Sequence, residues 1–380
     1  MLCMMQNMPL TAANYIAIII TYQTPLSLFI LWYYNVICLG IFITGLVLFT
    51  IIFVVIPCAF KYSYMFQRSL LFLNFVKAPH NIDYNKPSNL GLIGARNFYL
   101  TTKDNVKLGV WHTLPVSHQL EALTYNLLGN DLKSRDAKYN QWLKEETVFI
   151  YMHGNAGTRA FDHRVQLYKI LNDRNYHVIA FDYRGYGDSG SAQITDEAGV
   201  VTDAKTVIDW VLEHANKERV FVWGHSLGTG IASHSLAKLE GEGKPLSGLV
   251  LEAPFNNLSD EIREYPMSQM FKFLPWFDYF FVDPVYENHL RFENDVNLKN
   301  VSASILILHA VDDRVVPFKL GHKLYETIRH SRKNHDSIKL IKFGRELGLG
   351  HKFIFKDKNL PGILSKFVSD SIKGRKNVTD

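Results

Sequence analysis

No charged side chain occurs before Lys61; all 41 Lys and Arg and all 36 Asp and Glu of the 380 residues lie from there onward. So sharp a break divides the chain into two physical regimes. The uncharged block has nothing to keep its surface in water, whereas the remainder carries the charge density of an ordinary soluble domain. Within the block, Val36 to Ile56 is a run of 21 residues whose only polar side chains are Cys38, Thr44 and Thr50. As a helix rising ~1.5 Å per residue it spans roughly 30 Å, the thickness of bilayer hydrocarbon. No Lys or Arg precedes it, which argues against a cleaved signal peptide. We therefore expect a retained transmembrane helix over 36–56, ended by Pro57.

A second apolar stretch, Ile16 to Trp32, is interrupted by Tyr22, Gln23, Thr24 and Pro25. It fits a second span, an interfacial segment or a loose tail. Orientation is contested too. Lys61, Arg68 and Lys77 follow the anchor, which favours a cytoplasmic globular part. Three candidate N-glycosylation sites, at Asn257, Asn300 and Asn377, favour the opposite face. The expected organisation is an apolar tail (1–35), the span (36–56), a linker (57–96) and a globular domain (97–373).

From Asn97 onward, strand-like apolar runs alternate with helical patterns. Thr147–Met152, His177–Tyr183, Val220–Trp223, Gly248–Ala253, Ser304–His309 and Ile338–Phe343 read as buried strands, and Asn97–Leu114 as an antiparallel hairpin at the sheet edge. The fold class is therefore α/β, a mostly parallel, doubly wound sheet with helices on both faces. Residues 117–146 read as a polar, helical surface excursion. Glu264–Val282 is crowded with aromatic and Met side chains, and we read about 262–300 as a small cap over an apolar pocket suited to acyl chains. Net charge is only +5, with no dense basic run, so nucleic acid is not an expected partner. The three cysteines, Cys3, Cys38 and Cys58, all lie in the uncharged block, leaving the globular part without a disulfide framework or thiolate metal site. Neither a phosphate loop nor a metal-ligand histidine pair is present, and no cofactor is expected.

The motif that carries chemistry is Gly224-His225-Ser226-Leu227-Gly228, directly after a strand and opening a helix. Glycines on either side of the serine permit the sharp strand-to-helix turn of a nucleophile elbow. A serine hydroxyl attacks only when a histidine takes its proton, and the histidine needs an acid to fix its tautomer. In the order that this sheet requires, Asp313 is the candidate acid, with the adjacent Asp312 as its competitor, and His351 is the base. His322, His330 and His335 lie in or after a helix and read as surface residues. The developing oxyanion needs two backbone N–H donors, assigned to Leu227 and to Asn155 in the small-residue loop after the strand Thr147–Met152. His153, Asp182 and Arg184 read as structural.

With the elbow, HGNAGTR (153–159), FDYRGYGDSG (181–190), the Asp312-Asp313 loop and the late histidine, the chain resembles the α/β-hydrolase superfamily. Within it, the stretches LGVWHTLP (108–115), WGHSLGTG (223–230), FDYFFVDP (277–284) and VPFKLG (316–321) resemble the α/β-hydrolase domain-containing protein 12 family of membrane lipases. The resemblance covers about residues 97–367 and implies the triad Ser226, Asp313 and His351, favouring the second aspartate. It also implies hydrolysis of lysophospholipids, notably lysophosphatidylserine, and of monoacylglycerols, by a single-pass protein of the endoplasmic reticulum membrane with a lumenal catalytic domain. The shorter N-terminal region, uncharged before the anchor, and a slightly shorter acid-to-base loop depart from that family's pattern. The expected function is a membrane-anchored serine hydrolase acting on single-chain lipid esters. An acyl-protein thioesterase-like enzyme and a non-catalytic anchored lipid-binding protein are the alternatives.

Overall fold

The computed structural model describes residues 12–127, 131–191, 195–332 and 337–379. They form two compact units: Met1–Gln67 with Ile262–His289, and Arg68–Glu261 with Leu290–Asp380.

In the first unit, Ala12–Tyr33 is a single helix that continues through Pro25, so this stretch is not a loose tail. After a turn with Asn35 at φ +57°, the chain folds back. Trp32 then stacks on Phe42 at 5.2 Å, and Leu28 lies against Gly45. The second helix, Leu39–Tyr62, has 24 residues and contains an 18-residue window of mean hydropathy 2.9; among the described residues it alone is long and apolar enough to cross a membrane. It starts later and ends later than the sequence run implies, and Pro57 does not stop it. The helix widens into one π turn over Ile51–Val55 just ahead of the proline. Such a turn relieves the clash and the missing N–H that proline would impose on a regular helix.

The second unit is built on an eight-stranded sheet. Its strands are β1 (Arg96–Thr101), β2 (Lys107–Thr113), β3 (Thr147–Met152), β4 (Tyr176–Phe181), β5 (Val220–His225), β6 (Gly248–Glu252), β7 (Ser304–Ala310) and β8 (Ile338–Phe343). Their spatial order is β1-β2-β4-β3-β5-β6-β7-β8. The β1–β2 hairpin sits at the edge and meets β4 antiparallel, while every pair from β4 to β8 is parallel. β3, β5 and β6 are buried along their whole length, which is why their sequences run apolar without alternation. Alternate residues Phe149 and Tyr151, and Phe221 and Trp223, enter one core cluster with Tyr168, Leu171 and Phe367.

Residues 117–146 are less peripheral than their polarity suggests. They form helices Val116–Leu127 and Leu132–Trp142, from which Ala122, Tyr139 and Trp142 bury a small core with Leu114. Arg96 ties this layer down through Asp136 and Asn140, at 2.8 and 2.6 Å.

The topology already fixes where chemistry can occur. β3 is flanked by β4 on one side and β5 on the other, so the winding direction reverses there. Loops leaving the carboxyl ends of β3 and β5 diverge and open a crevice at that edge. Met152 and Gly224 are register partners, so the loop at His153 and the turn at Ser226 start side by side.

Candidate active site

The turn after β5 is held by contacts that tolerate no side chain at two positions. A Cβ on Gly224 would lie 2.5 Å from the Gly228 carbonyl oxygen, and one on Gly228 would run into the carbonyl oxygen of Met152. The helix Leu227–Gly241 therefore crosses β3 and β5 at backbone contact, and the intervening residue absorbs the bend. Ser226 takes φ +53° and ψ −121°, a conformation that costs a non-glycine residue about 1–3 kcal/mol. Hydrogen bonds fasten both sides of it. The Ser226 N–H donates to the Glu252 carbonyl at 3.0 Å, and the Ser226 carbonyl accepts from Thr229 N–H and Oγ1 at 2.9 and 2.7 Å. The serine is 8% exposed.

Loops from β7 and β8 bring Asp313 and His351 to the same edge. His351 Nδ1 lies 2.7 Å from Asp313 Oδ2, and Asp313 Oδ1 accepts from the N–H groups of Val315 and Val316 at 2.8 and 2.9 Å. Burial alone would raise the Asp313 carboxyl. Hydrogen bonds from His309 and His351 outweigh it and hold the group well below the usual carboxylate range. Asp312 does different work: its Oδ2 accepts from the Gly350 N–H at 3.1 Å and so tethers the loop that carries the base. The adjacent aspartates, indistinguishable by spacing, thus divide into one that orients the imidazole and one that holds its loop. His322 and His330 are exposed on the helix Phe318–Ser331 beside Glu326, away from this arrangement; His335 lies outside the described residues.

His225 joins base to elbow. Its Nε2 donates to the His351 carbonyl at 2.9 Å, and the two rings lie 4.9 Å apart. Because a carbonyl can only accept, that nitrogen carries the proton and Nδ1 is bare; Nδ1 is buried without a hydrogen-bond partner. Burial, and then the neighbouring His351, push the His225 pKa well below its ordinary value. His163, 5.9 Å from the His225 ring, is pushed down to about 3, mainly by burial. The Ser226 hydroxyl makes no hydrogen bond to His351, a link that free enzymes often hold open until substrate packs in.

The loop after β3 lies against the elbow: a Cβ on Gly154 would be 3.3 Å from Ser226 Cβ. Arg164 clamps it through the Ala156 and Thr158 carbonyls, each at 2.6 Å, and the Tyr186 hydroxyl donates to the Asn155 carbonyl at 2.8 Å. The Asn155 N–H shares its peptide plane with the Gly154 carbonyl, which His153 Nδ1 bonds at 2.7 Å, so that peptide is oriented rather than free. Leu227 offers the first N–H of its helix, among the donors that helical hydrogen bonding leaves unpaired. His153 is fully buried between Tyr183 and Tyr186 and bonds the Gly154 carbonyl at 2.7 Å. Asp182 receives the Arg159 N–H and guanidinium, and Arg184 grips Asp203 and Asp104. These residues buttress the loops, as read from the sequence.

Three contributors escaped the sequence reading: His225, Glu252 and the tethering role of Asp312. His225 occupies the variable position of G-x-S-x-G, where spacing says nothing. Glu252 had a signal, being the lone acid in the apolar strand GLVLE. It is fully buried, accepts from Trp223 Nε1 at 2.9 Å, and is pushed up to about 8, chiefly by burial.

The profile of the Hydrolase_4 family, described as serine aminopeptidase S33, matches residues 144–294. The lysophosphatidylserine lipase ABHD12 of Danio rerio is 41% identical over 320 residues, covering 83% of this chain and 81% of the relative. That of Gallus gallus is 42% identical over 319 residues, with 83% and 81% covered. The chain belongs to the ABHD12 family. Homo sapiens protein ABHD12B, 37% identical over 302 residues with 79% of each chain covered, is a further relative. Among solved structures, the Pyrococcus furiosus esterase Pf2001 superposes with a TM-score of 0.55 at 20% identity, covering 78% of this chain and 97% of that one. An α/β hydrolase from Vibrio vulnificus gives 0.56 at 14%, covering 82% and 94%. Both establish the α/β-hydrolase fold for this ABHD12-family chain.

Two substitutions test this geometry. His225→Phe removes the donor to the His351 carbonyl, a hydrogen bond of about 1.4 kcal/mol. It should lower kcat about tenfold with KM little changed, whereas His225→Gln, which keeps an N–H donor, should retain most activity. Glu252→Gln should flatten the alkaline loss of stability. The unfolded carboxyl releases its proton near 4.5 and the folded one only near 8. Stability is therefore fully present below about 4.5 and declines as pH rises through about 8. Melting temperatures across this range should fall in the parent protein and less steeply in the variant.

Proposed function

We propose that the chain hydrolyses the ester of a single-chain lipid by covalent catalysis, with lysophosphatidylserine, named in its relatives, as the leading substrate and monoacylglycerols in the same class. The observation that carries the reading is the Asp313–His351 pair, 2.7 Å apart, with its histidine pinned by His225 beside the strained Ser226. In this mechanism Ser226 Oγ attacks the ester carbonyl carbon while His351 Nε2 takes its proton. Asp313, ionised throughout, keeps the Nδ1–H tautomer and stabilises the imidazolium. The amides of Leu227 and Asn155 receive the charge on the carbonyl oxygen. His351 returns the proton to the departing alcohol, and water, activated by the same histidine, then releases the fatty acid from Ser226. Since the membrane helix belongs to the same chain, anchoring raises the local concentration of substrates that partition into lipid.

The same reading places the protein in the endoplasmic reticulum membrane with the catalytic unit lumenal. Of the three sequons, Asn300 is exposed and is the one we propose carries glycan. Asn257 is half-buried, its amide nitrogen bonded to Asp295 and its oxygen capping a helix at Asp260. The side chain of Asn377 lies outside the described residues.

Ser226→Ala should lose both fluorophosphonate labelling and hydrolysis of lysophosphatidylserine in liposomes, by about 10⁴-fold or more, with an unchanged melting temperature. Retained turnover would reject the assignment. Asn300→Gln should abolish a glycosidase-sensitive shift in gel mobility; a parent protein insensitive to glycosidase would reject lumenal orientation.

A further inference from the structure

The segment Tyr265–Phe281 is the most aromatic stretch outside the core, and no step of the proposed mechanism uses it. It belongs to the same unit as the membrane helix and packs directly on the last turns of that helix. Phe271 meets Phe53 edge-on at 5.9 Å, and Phe281 lies 5.2 Å from Phe60. Lys61 donates to the Tyr279 carbonyl at 3.1 Å, with its ammonium 3.2 Å from the Tyr279 ring centroid. Gln67 closes the clasp by bonding Asn288 at 2.8 Å.

These contacts fix depth. About 20 residues of helix cross the hydrocarbon, so a span starting at Leu39 leaves it near Cys58. Lys61, the first charge in the chain, then stands at headgroup level, where Tyr also prefers to sit. Phe53 lies on the order of 10 Å deeper along the axis, and Phe271 lies with it. The segment therefore covers a range of depth from headgroups into hydrocarbon.

Its surface chemistry follows the same gradient. From Tyr265 to Phe277 the only charge is Lys272, and Met267 and Met270 stand 70% and 55% exposed. The exposed Arg263–Asp278 ion pair, at 3.1 Å, marks its polar edge. An apolar surface presented to water carries a free-energy cost that the same surface does not incur in lipid.

We propose that Tyr265–Phe281 is a second membrane-contacting element, inserted into the interfacial layer of one leaflet with Met267 and Met270 in acyl chains. The proposal rests on reading Leu39–Tyr62 as a membrane span. The partner is the bilayer rather than another protein, because the surface continues, at matching depth, the face of a helix that lipid surrounds.

The test uses the full chain with Cys3, Cys38 and Cys58 replaced by Ser and a single cysteine introduced as Met270→Cys, labelled with an environment-sensitive fluorophore and reconstituted in phosphatidylcholine vesicles. Ile43→Cys serves as the reference within the span, and fluorophosphonate labelling of Ser226 certifies folding; Met267→Cys replaces Met270→Cys if that variant fails to label. The expected result is blue-shifted emission, quenching by nitroxide-bearing lipids and protection from aqueous iodide. Iodide quenching without lipid quenching overturns the proposal, as does protection from both quenchers, the signature of a protein partner. If Ile43→Cys is lipid-quenched in those cases, the membrane span stands and only the proposal falls. If neither position meets lipid, both fall together.

Discussion

The close crossing of β5 and the helix Leu227–Gly241 over the end of β3 is the constraint from which the site follows. A backbone carbonyl, that of Met152, occupies the place a Cβ of Gly228 would need, so the helix cannot be moved out without separating two buried strands. The chain meets this requirement by placing the strain in one residue, Ser226, and by bonding its N–H and carbonyl so that the strained form cannot relax. A parallel sheet then supplies the rest. Strands β3 to β8 all run the same way and end on one edge, so loops after β3, β7 and β8, far apart in sequence, arrive beside that turn.

Arrival at an edge is not registration, and registration depends on polar contacts. The base loop is held at three points: Gly350 N–H on Asp312, His351 Nδ1 on Asp313, and the His351 carbonyl on His225. The choice of histidine at 225 has an electrostatic consequence. An imidazole that burial keeps neutral can donate a hydrogen bond without placing a second positive charge beside His351, the ring that becomes cationic in the proposed mechanism. A lysine or arginine donor there would oppose that protonation.

How much of this was legible in sequence depended on whether local pattern or tertiary contact decided the outcome. β3 has the boundaries read from its apolar run, because a buried parallel strand has no competing pattern, and the edge strand β8, half-exposed, has them too. The sharp turn at Ser226 between its two glycines was legible because that turn is sterically demanding. Asp312 and Asp313 were not separable, since adjacent residues differ only in which way the loop aims them. Pro57 misled because a five-residue π turn, Ile51–Val55, just ahead of it accommodates it. The polar segment 117–146 hid Tyr139 and Trp142, whose burial depends on the two helices meeting. The grouping of Ile262–His289 with the N-terminal helices arises wholly from contacts between residues some two hundred positions apart.

Glu252 and Asp313 bring these arguments to one point. Glu252 ends β6 and Asp313 lies in the loop just after the adjacent β7; both are buried, and the Asp313 charge adds to the cost of ionising Glu252. Asp313 accepts three hydrogen bonds on its two oxygens, from the N–H groups of Val315 and Val316 and from His351 Nδ1, and His309 Nε2 lies 3.5 Å from it, so its charge is well met. Glu252 receives one indole N–H and faces apolar strands, so it keeps its proton near neutral pH. Two carboxyls whose surroundings drive them apart can hold different roles at one sheet edge. The neutral one leaves Asp313 as the single anion available to His351, so the imidazole has one partner and one orientation. Were both ionised, their repulsion would fall on the segments after β6 and β7 that the proposed catalytic geometry needs still.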